Sequence, residues 1–473
     1  MEQIRVLLKT DDFAGAMHET VSLHCDTAMD LLTEDGTGEL KEVQTLEPGE
    51  TLQIAADSTL FETANRIYAR PQALSAKTTV DSILRNGKTP VYPGNFEIEK
   101  TGEGFLLINE LALEDYLRFV VPSEMPASYP AEALKAQAVC ARTYAYMHML
   151  HAGLQNYGAH VDDSAAFQVY NNIAEASETS EAVYETKGQM LLSGGTPVTA
   201  YFYSTSCGYG TDLTAWNLTY GDEMAATGGY LRARNIAKGQ MLSDTQNPDA
   251  HSSDAQESAE GSKLAEEDSF ATFIKTADAD SFEQEDTYYR WRYDTALDTE
   301  LLLANLQVRY EKSPGNIRRK KGNGYVDEKP EKLGMVTGLT AVKRTTGGVM
   351  TELLIEGTED TYRVCGEQNI RYVLAGENTE IALSADYSKK GTINGMLPSS
   401  FFVIEPVYET DDGISTEKAK EAPVVISYTL YGGGFGHGIG MSQNAARRMA
   451  QAGYDYKQIL QFFYECSIEG VNE

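Results

Sequence analysis

The chain has 473 residues, of which 42% are apolar and 23% charged, and its formal net charge is -31. This length and apolar content suffice for two or three domains with a sizeable core, and they exclude a disordered chain. The acidic charge excludes binding to nucleic acid or to an anionic membrane through the net field. A neutral ligand, or an anion held in a local basic pocket, stays open.

The cysteines are widely spaced and include no C-x-x-C pair, which excludes a zinc ribbon and a thioredoxin-type motif. We therefore expect mostly free, buried thiols. No run of 18 apolar residues occurs, so no membrane span is predicted. The apolar run near the start of the sequence is too short for a signal peptide. The protein is then either cytoplasmic, or it begins after a removed signal or anchor. The cysteines are Cys25, Cys140, Cys207, Cys365 and Cys466.

Residues 1–110 are predicted to be rich in strands, because short apolar or alternating runs such as IRVLL, SLHCD and TLQIA are bounded by Gly, Pro and Asp. The stretch FEIEK-TGE-GFLLIN is typical of a hairpin with Gly102 at the turn.

Two helices are predicted next, over about 113–120 and 130–150. In the second helix Leu134, Ala138, Ala141 and Ala145 recur at helical spacing and predict a core stripe. Between the helices lies VPSEMP (121–126), in which two prolines flank a single glutamate. Proline fixes its own φ and biases the preceding residue toward extended geometry, so we interpret this segment as a stiff loop. It either presents the glutamate to a cleft or simply turns the chain.

Farther along the chain, FQVY and TPVTAYFYSTS are strand-like, and residues 238–287 are polar, acidic and interpreted as a mobile insertion. The run at 317–322 is basic and is interpreted as a solvated loop. Hairpin, helix and strand patterns then follow: LTAVKR-TTGG-VMTELLIEG predicts a hairpin, GEQNIRYVL a short helix, and residues 442–463 two short helices broken at Gly453.

Three local patterns contain residues with possible catalytic or metal-binding chemistry. The glycine-rich run at 432–440 fits neither a dinucleotide fingerprint nor a P-loop, and leaves His437 as an accessible or a structural histidine. His148, His151 and His160, with Asp162 and Asp163 nearby, match no metal signature, so we expect no metal. Cys207 and His437 could form a nucleophilic pair, but only the expected exposure of both side chains supports it.

Three separated blocks of the sequence resemble the signature of the stage II sporulation protein D (SpoIID) family. The first extends from Asn109 to Tyr144 and contains S-E-M-P at 123–126. The second is Y-S-T-S at 203–206. The third is G-H-G-I-G-M-S-Q at 436–443, followed by A-G-Y at 452–454.

The resemblance implies a lytic transglycosylase that acts on peptidoglycan glycan strands. Such enzymes cut between N-acetylmuramic acid and N-acetylglucosamine without water and leave a 1,6-anhydro sugar, and the relatives act on strands stripped of peptides. The family's catalytic acid matches Glu124. A related amidase-enhancer branch implies the alternative, a non-catalytic wall-binding module that stimulates a cell-wall amidase. The family usually starts with a signal or anchor, so the resemblance implies an extracytoplasmic protein, secreted or anchored by a segment absent here.

A glycoside hydrolase usually uses two carboxylates, whereas a lytic transglycosylase needs only one. Glu124 would first protonate the glycosidic oxygen and then accept the proton of the C6 hydroxyl. Its pKa should be raised by burial against apolar groups such as Met125 or Tyr129. Lys135 and Arg142 lie seven residues apart on one helix face. Their side chains are either solvated or bind acetamido or lactyl groups of the substrate. The expected substrate-binding residues are Lys135, Gln137, Arg142, Ser204, Ser206, His437 and Gln443.

The predicted fold class is α+β, with a strand-rich N-terminal part over 1–110. A core over 111–237 carries the catalytic loop, the insertion covers 238–287, and a mixed part over 288–473 closes one substrate cleft. Some relatives carry a Cys/His cluster before the Q-V-Y stretch. Here that region has one histidine and no cysteine, so no structural zinc or other cofactor is expected.

Overall fold

The computed structural model describes residues 3–34, 38–62, 64–151, 153–216, 229–239, 263–276, 280–409 and 425–470. The chain forms two compact units. The first consists of residues 1–200, 455–457 and 466–473, and the second of residues 201–454 and 458–465. Strands and helices are mixed and strands predominate, which confirms the α+β class. The four-part division proposed from the sequence stays a prediction.

The described residues contain eight α-helices: α1 (Leu113–Glu124), α2 (Ala131–His151), α3 (Ser177–Glu185), α4 (Glu267–Lys275), α5 (Thr299–Lys312), α6 (Glu367–Val373), α7 (Gln443–Gln451) and α8 (Tyr456–Phe463).

The described strands of the first half are β1 (Gln3–Leu7), β2 (Val21–Cys25), β3 (Met29–Glu34), β4 (Leu40–Leu46), β5 (Thr51–Ile54), β6 (Arg66–Pro71), β7 (Thr78–Val80), β8 (Val91–Tyr92), β9 (Asn95–Lys100), β10 (Phe105–Ala112), β11 (Val161–Asp162), β12 (Gln189–Ser193) and β13 (Thr196–Pro197). The later strands are β14 (Phe202–Tyr203), β15 (Trp291–Thr295), β16 (Ile317–Lys321), β17 (Gly324–Val326), β18 (Val336–Arg344), β19 (Met350–Gly357), β20 (Thr361–Cys365), β21 (Thr379–Leu383), β22 (Lys389–Ile393), β23 (Phe402–Tyr408), β24 (Val425–Gly432), β25 (Met441–Ser442) and β26 (Ser467–Gly470).

The first unit contains a seven-stranded sheet in the order β11-β1-β10-β9-β6-β3-β4 and a four-stranded sheet in the order β5-β2-β7-β8. Strands β2 and β3 alternate buried and half-buried residues, as expected when one face of a strand packs on a core. The predicted hairpin is confirmed as β9 and β10, and the turn glycine with positive φ is Gly104, at +143°. A Cβ there would lie 2.6 Å from the carbonyl oxygen of His18, so a side chain has no room.

The core of the first unit also takes in one face of α1 and the predicted stripe of α2. Leu134, Ala138, Ala141 and Ala145 are all fully buried, which confirms the stripe. The three alanines let neighbouring elements approach closely, and burial of this face stabilises a helix better than propensity alone does.

Arg142 links helix α2 to helices α1 and α3 of the first unit by hydrogen bonds. Its Nε and Nη2 donate to the two carboxylate oxygens of Glu114 at 2.7 and 2.9 Å, a bidentate pair between α2 and α1. Nη2 also donates to the Val183 carbonyl of α3 at 3.1 Å, and Nη1 donates to the Gln189 carbonyl at 3.3 Å. The side chain is completely buried.

The second unit contains two five-stranded sheets, in the orders β22-β21-β15-β24-β23 and β17-β16-β20-β19-β18, and the short parallel pair β14-β25. The predicted hairpin is confirmed as β18 and β19, the predicted short helix as α6, and the two C-terminal helices as α7 and α8. Gly453, at φ +95°, lies between the last two, as expected.

Two local expectations are wrong. The basic run forms strand β16 instead of a loop, because Ile317 is buried in the core and Arg319 is neutralised by Glu328 and Asp360. The FQVY stretch forms no strand, because its backbone N–H groups bond to groups other than a neighbouring strand. The N–H of Val169 donates to the Glu124 carboxylate and that of Tyr170 to the Asp163 carbonyl.

The expected mobile insertion lies partly outside the described residues, which omit 240–262 and 277–279. The rest of it is packed, since α4 buries Phe270 and Ile274, and Glu283 is fully buried.

The Arg142→Ala variant should lower the free energy of unfolding by about 3 kcal/mol, because it leaves Glu114 without its bidentate partner inside a packed interface. Chemical denaturation measures this. Arg118→Ala is the matched control, because Arg118 pairs with Asp115 and Glu175 at the surface and should cost less than about 1 kcal/mol. Equal effects of the two variants would contradict the role of Arg142.

Candidate active site

Glu124 is the last residue of α1, not part of a loop. The helix continues through Pro122, and the N–H of Met125 donates to the Val121 carbonyl at 2.9 Å. It ends because Met125, which precedes Pro126, is driven to extended geometry, with φ -135° and ψ 129°. The interpretation of VPSEMP as a loop is therefore wrong for its first four residues. Pro126 does act as predicted, and it sets where the helix stops.

The end of α1 is bonded to the segment 168–173. Oε1 of Glu124 accepts the N–H of Val169 at 2.6 Å. The Ser123 hydroxyl donates to the Phe119 carbonyl at 2.8 Å and accepts the N–H groups of Asn172 and Ile173, both at 3.1 Å. The carboxyl is thus held at a helix end by one backbone donor, and Ser123 bonds the same helix end to the same segment.

Burial raises the pKa of Glu124 to about 7, while the hydrogen bond from Val169 acts in the opposite direction. The negative end of the helix dipole also disfavours the carboxylate. The shift has the direction expected from the sequence, and it gives a carboxyl that is partly protonated near neutral pH, as a general acid must be.

The three expected substrate ligands on α2 are engaged within the first unit. Lys135 lies between Glu132, at 2.8 Å, and Glu185, at 2.7 Å, and keeps 19% of its side chain exposed. Gln137 and Arg142 are fully buried. Because Arg142 is enclosed and bonded to Glu114, its geometry fits a structural role and not a contact with a sugar.

In the second unit the other two sequence blocks meet. Strands β14 and β25 pair in parallel, with Phe202 opposite Met441 and Tyr203 opposite Ser442. This pairing places Ser206 and Ser442 on the same buried carboxyl, that of Glu283. Oε1 of Glu283 accepts the Ser206 N–H at 2.9 Å and the Ser442 hydroxyl at 2.7 Å, and Oε2 accepts the Ser206 hydroxyl.

Burial also raises the pKa of Glu283 to about 7, against the effect of its serine donors. Ser206, expected to contact a sugar, is instead fully buried and donates to this carboxyl. Glu283 was missed from the sequence because it lies in the stretch interpreted as a mobile acidic insertion. One acidic residue among many carries no local signal of burial.

His437 is half-buried, not unusually accessible. The Ile439 N–H donates to its Nδ1 at 3.1 Å, so Nδ1 is the acceptor and Nε2 carries the proton that is donated to the Phe202 carbonyl at 3.0 Å. Burial lowers the pKa of His437 to about 4 and keeps the ring neutral. The rings of Tyr203 and Trp216 lie 5.6 and 5.0 Å from it.

The remaining expected ligands flank this region. Ser204 is half-buried, with its hydroxyl 3.1 Å from that of Thr205. Gln443 begins α7 and is 9% exposed. Ser204 and Gln443 therefore lie beside the pairing of β14 with β25, in the same unit as His437.

The described residues contain no group of three or more His, Cys, Asp or Glu side chains placed to hold a metal ion. Cys207, expected to be exposed, is fully buried, and burial raises the pKa of its thiol to about 11, which does not suit a nucleophile. All five cysteines are free, as expected, and Cys25 and Cys140 are buried, whereas Cys365 and Cys466 are half-buried.

Comparison with known proteins identifies the segment that carries Glu124. Residues 101–192 match the family model for SpoIID, stage II sporulation protein. These residues are a SpoIID-family domain. This match confirms the resemblance inferred from the S-E-M-P block. Residues 230–440 match a second family model, a domain of unknown function, DUF8618.

The similar relatives are bacterial. The amidase enhancer of Bacillus subtilis is 26% identical over 406 residues, which cover 85% of this chain and 46% of the relative. The stage II sporulation protein D of the same organism is 37% identical over 23% of this chain and 36% of the relative. An uncharacterized protein of Brachyspira hyodysenteriae is 36% identical over 28% of this chain. The chain thus spans less than half the length of the two Bacillus relatives.

Among the described residues, no helix has the length and hydrophobicity needed to span a bilayer.

The raised pKa of Glu124 predicts a pH-dependent stability. A carboxyl whose pKa rises from 4.5 to about 7 on folding contributes stability below pH 4.5 that is lost as the pH rises through 7. The Glu124→Gln variant has no carboxyl to ionise at this position, so it does not lose this stability as the pH rises. Its free energy of unfolding relative to the wild type should therefore increase by about 3 kcal/mol between pH 4 and pH 8.

Denaturant titrations at both pH values measure this difference. Glu181→Gln, at an exposed position of α3, is the control and should change stability by less than about 0.5 kcal/mol at either pH. A constant difference between Glu124→Gln and the wild type would rule out a raised pKa.

Proposed function

We propose that this protein is a lytic transglycosylase that cleaves the glycosidic bond between N-acetylmuramic acid and N-acetylglucosamine in peptidoglycan glycan strands, preferably strands without peptides. One observation carries the proposal: the SpoIID-family segment contains a half-buried carboxyl, on a fixed helix end, with a pKa of about 7. Such a group can donate and accept a proton at the same pH.

In the first step the protonated Glu124 gives its proton to the glycosidic oxygen, and the bond from C1 to that oxygen breaks. Because Oε1 accepts the Val169 N–H at 2.6 Å, we assign the transferred proton to Oε2. The leaving sugar departs with a free 4-hydroxyl, and an oxocarbenium ion forms at C1 of the muramic acid residue.

In the second step the Glu124 carboxylate accepts the proton of the muramic acid C6 hydroxyl while O6 bonds to C1. This closes the 1,6-anhydro ring and returns Glu124 to its protonated form. No water is consumed and no second carboxylate is needed, in contrast to a glycoside hydrolase. The carboxyl acts twice, and the bonds from Val169 and to Ser123 hold the helix end still between the two steps.

The half-buried side chains among the expected ligands are proposed as glycan contacts: Lys135, Ser204 and His437. Gln443, which is 9% exposed at the start of α7, is proposed as a fourth contact. We assign the enclosed Gln137, Arg142 and Ser206 to supporting roles. That one cleft contains both the Glu124 and the GHGIGMSQ motifs stays a prediction. A wall substrate would place the protein outside the cytoplasm.

A second function is favoured by the similarity to the amidase enhancer, because that similarity covers 85% of this chain. In this function the protein would bind the cell wall and stimulate an amidase without cutting glycan. It predicts binding to purified sacculi and a faster amidase, with no anhydro product.

The Glu124→Gln variant should lose at least a thousandfold in the rate of anhydro-product release, because it has no proton to transfer. Mass spectrometry of products from peptide-free glycan strands measures this, with Glu181→Gln as the control that keeps full activity. Undiminished release by Glu124→Gln would refute the assignment of Glu124. Reducing ends formed with water would show a hydrolase instead.

The wild-type kcat/KM should fall about tenfold for each pH unit above about 7, because the acid must be protonated in the free enzyme and its pKa is raised to about 7 by burial. Initial rates between pH 5 and pH 9 test this. A rate that stays constant up to pH 9 would contradict a proton donor with this pKa.

A further inference from the structure

An exposed pair of stacked aromatic rings lies at the tip of the glycine-rich turn in the second unit. The rings of Phe435 and Tyr288 are 4.6 Å apart and inclined by only 23°. Phe435 is 38% exposed and Tyr288 is half-buried. Single exposed aromatic side chains are common, so exposure alone does not indicate a site.

The turn that carries Phe435 is fixed by backbone hydrogen bonds. The Phe435 N–H donates to the Thr205 carbonyl at 2.7 Å, and the Thr205 N–H donates to the Phe435 carbonyl at 3.1 Å. Gly436 donates to the Pro398 carbonyl at 2.9 Å. Gly436 has φ +118°, and a Cβ there would lie 2.7 Å from Cβ of Tyr203, so the turn depends on glycine.

The segment that carries Tyr288 is fixed as firmly. Glu283 accepts bonds from Ser206 and Ser442, Asp286 pairs with Arg447 and Arg448, and the Tyr288 carbonyl accepts the Gly434 N–H at 2.8 Å. The buried carboxyl of Glu283 thus joins the segment that precedes Tyr288 to Ser206 and Ser442.

Polar groups of a neighbouring segment lie close to Phe435, since Thr205 shares two backbone hydrogen bonds with it. Ser204 and Thr205 follow β14, and the Asn444 side chain donates to the Thr205 hydroxyl at 2.9 Å. A flat apolar surface with hydroxyl and amide groups at its edge complements a pyranose ring, which has apolar C–H faces and a hydroxyl and acetamido edge. One ring pair is too small for a stable protein interface, which buries about 800 Å² per partner.

We propose that the exposed ring of Phe435, backed by the stacked ring of Tyr288, forms a stacking platform for one N-acetylated sugar ring of a glycan strand. The identity of the ligand rests on the proposed function, but the platform is a binding site and its test does not depend on cleavage. The rigid setting matters because a preformed surface loses little conformational entropy on binding.

The experiment measures the dissociation constant for peptide-free glycan strands in the Glu124→Gln background, in which strands are not consumed. Phe435→Ala and Phe435→Leu should each weaken binding about tenfold, which corresponds to about 1.4 kcal/mol. Phe435→Tyr should bind normally, because it keeps the flat ring. Tyr408→Ala removes another exposed ring of the second unit, 45% exposed, and should not change binding. Thermal unfolding verifies that each variant is folded.

Normal binding by Phe435→Ala would overturn the platform, as would normal binding by Phe435→Leu, an equal loss in Tyr408→Ala, or no measurable binding by the Glu124→Gln protein itself. Intact glycan binding together with lost amidase stimulation would assign the pair to a protein partner and also overturn it. If the wild type releases no anhydro product while Phe435→Ala still weakens binding, the platform stands and the proposed cleavage falls. If the wild type cleaves glycan while Phe435→Ala binds normally, the proposed cleavage stands and the platform is refuted.

Discussion

Desolvation of one carboxyl at the end of a helix is the constraint on which the proposed chemistry depends. In water a glutamate is ionised at neutral pH and has no proton to give. The burial of Glu124 raises its pKa to about 7, and this costs stability whenever the group is charged. A protein keeps such a group when function requires it, since replacement by a neutral side chain would make the fold more stable.

The surrounding structure holds this carboxyl in a fixed position. Pro126 ends helix α1 at Glu124, the Ser123 hydroxyl accepts two backbone N–H groups of the segment 168–173, and Arg142 joins α2 to α1 and α3. Together these contacts fix the helix end, and the Val169 N–H holds one carboxylate oxygen of Glu124 relative to the backbone. A catalyst that uses the same group as acid and then as base needs this, because both oxygens of the substrate must come within hydrogen-bond distance.

The second unit also contains a buried carboxyl that accepts several hydrogen bonds, but its effect on the structure is different. Glu283 bonds to Ser206 and Ser442 and thereby joins two segments more than two hundred residues apart in the chain. An unpartnered carboxyl would be costly at this depth, and its three serine donors reduce that cost. The result is a rigid frame for the glycine-rich turn and for the aromatic pair at its tip.

Patterns with a local physical cause were predictable. The hairpin β9–β10, the alanine stripe of α2 and the extended backbone of Met125 before Pro126 follow from turn chemistry, helical spacing and proline sterics. The S-E-M-P block marked Glu124 as the candidate acid. Misjudged elements had causes that no local pattern carries. Helix α1 continued through Pro122, since proline costs one hydrogen bond and the burial of Val120 and Val121 offsets it. The basic run became a strand once Glu328 and Asp360 neutralised it.

The sequence by itself determined the fold class, the family of the segment at 101–192 and the identity of the candidate acid. Only the tertiary structure decided which polar side chains face solvent. It enclosed Arg142 and Ser206, fixed the tautomer of His437, and showed Glu283 to be a buried anchor within an acidic stretch. The reason is physical: burial and hydrogen-bond partners come from residues far apart in the chain, and one sequence window contains only half of each pair.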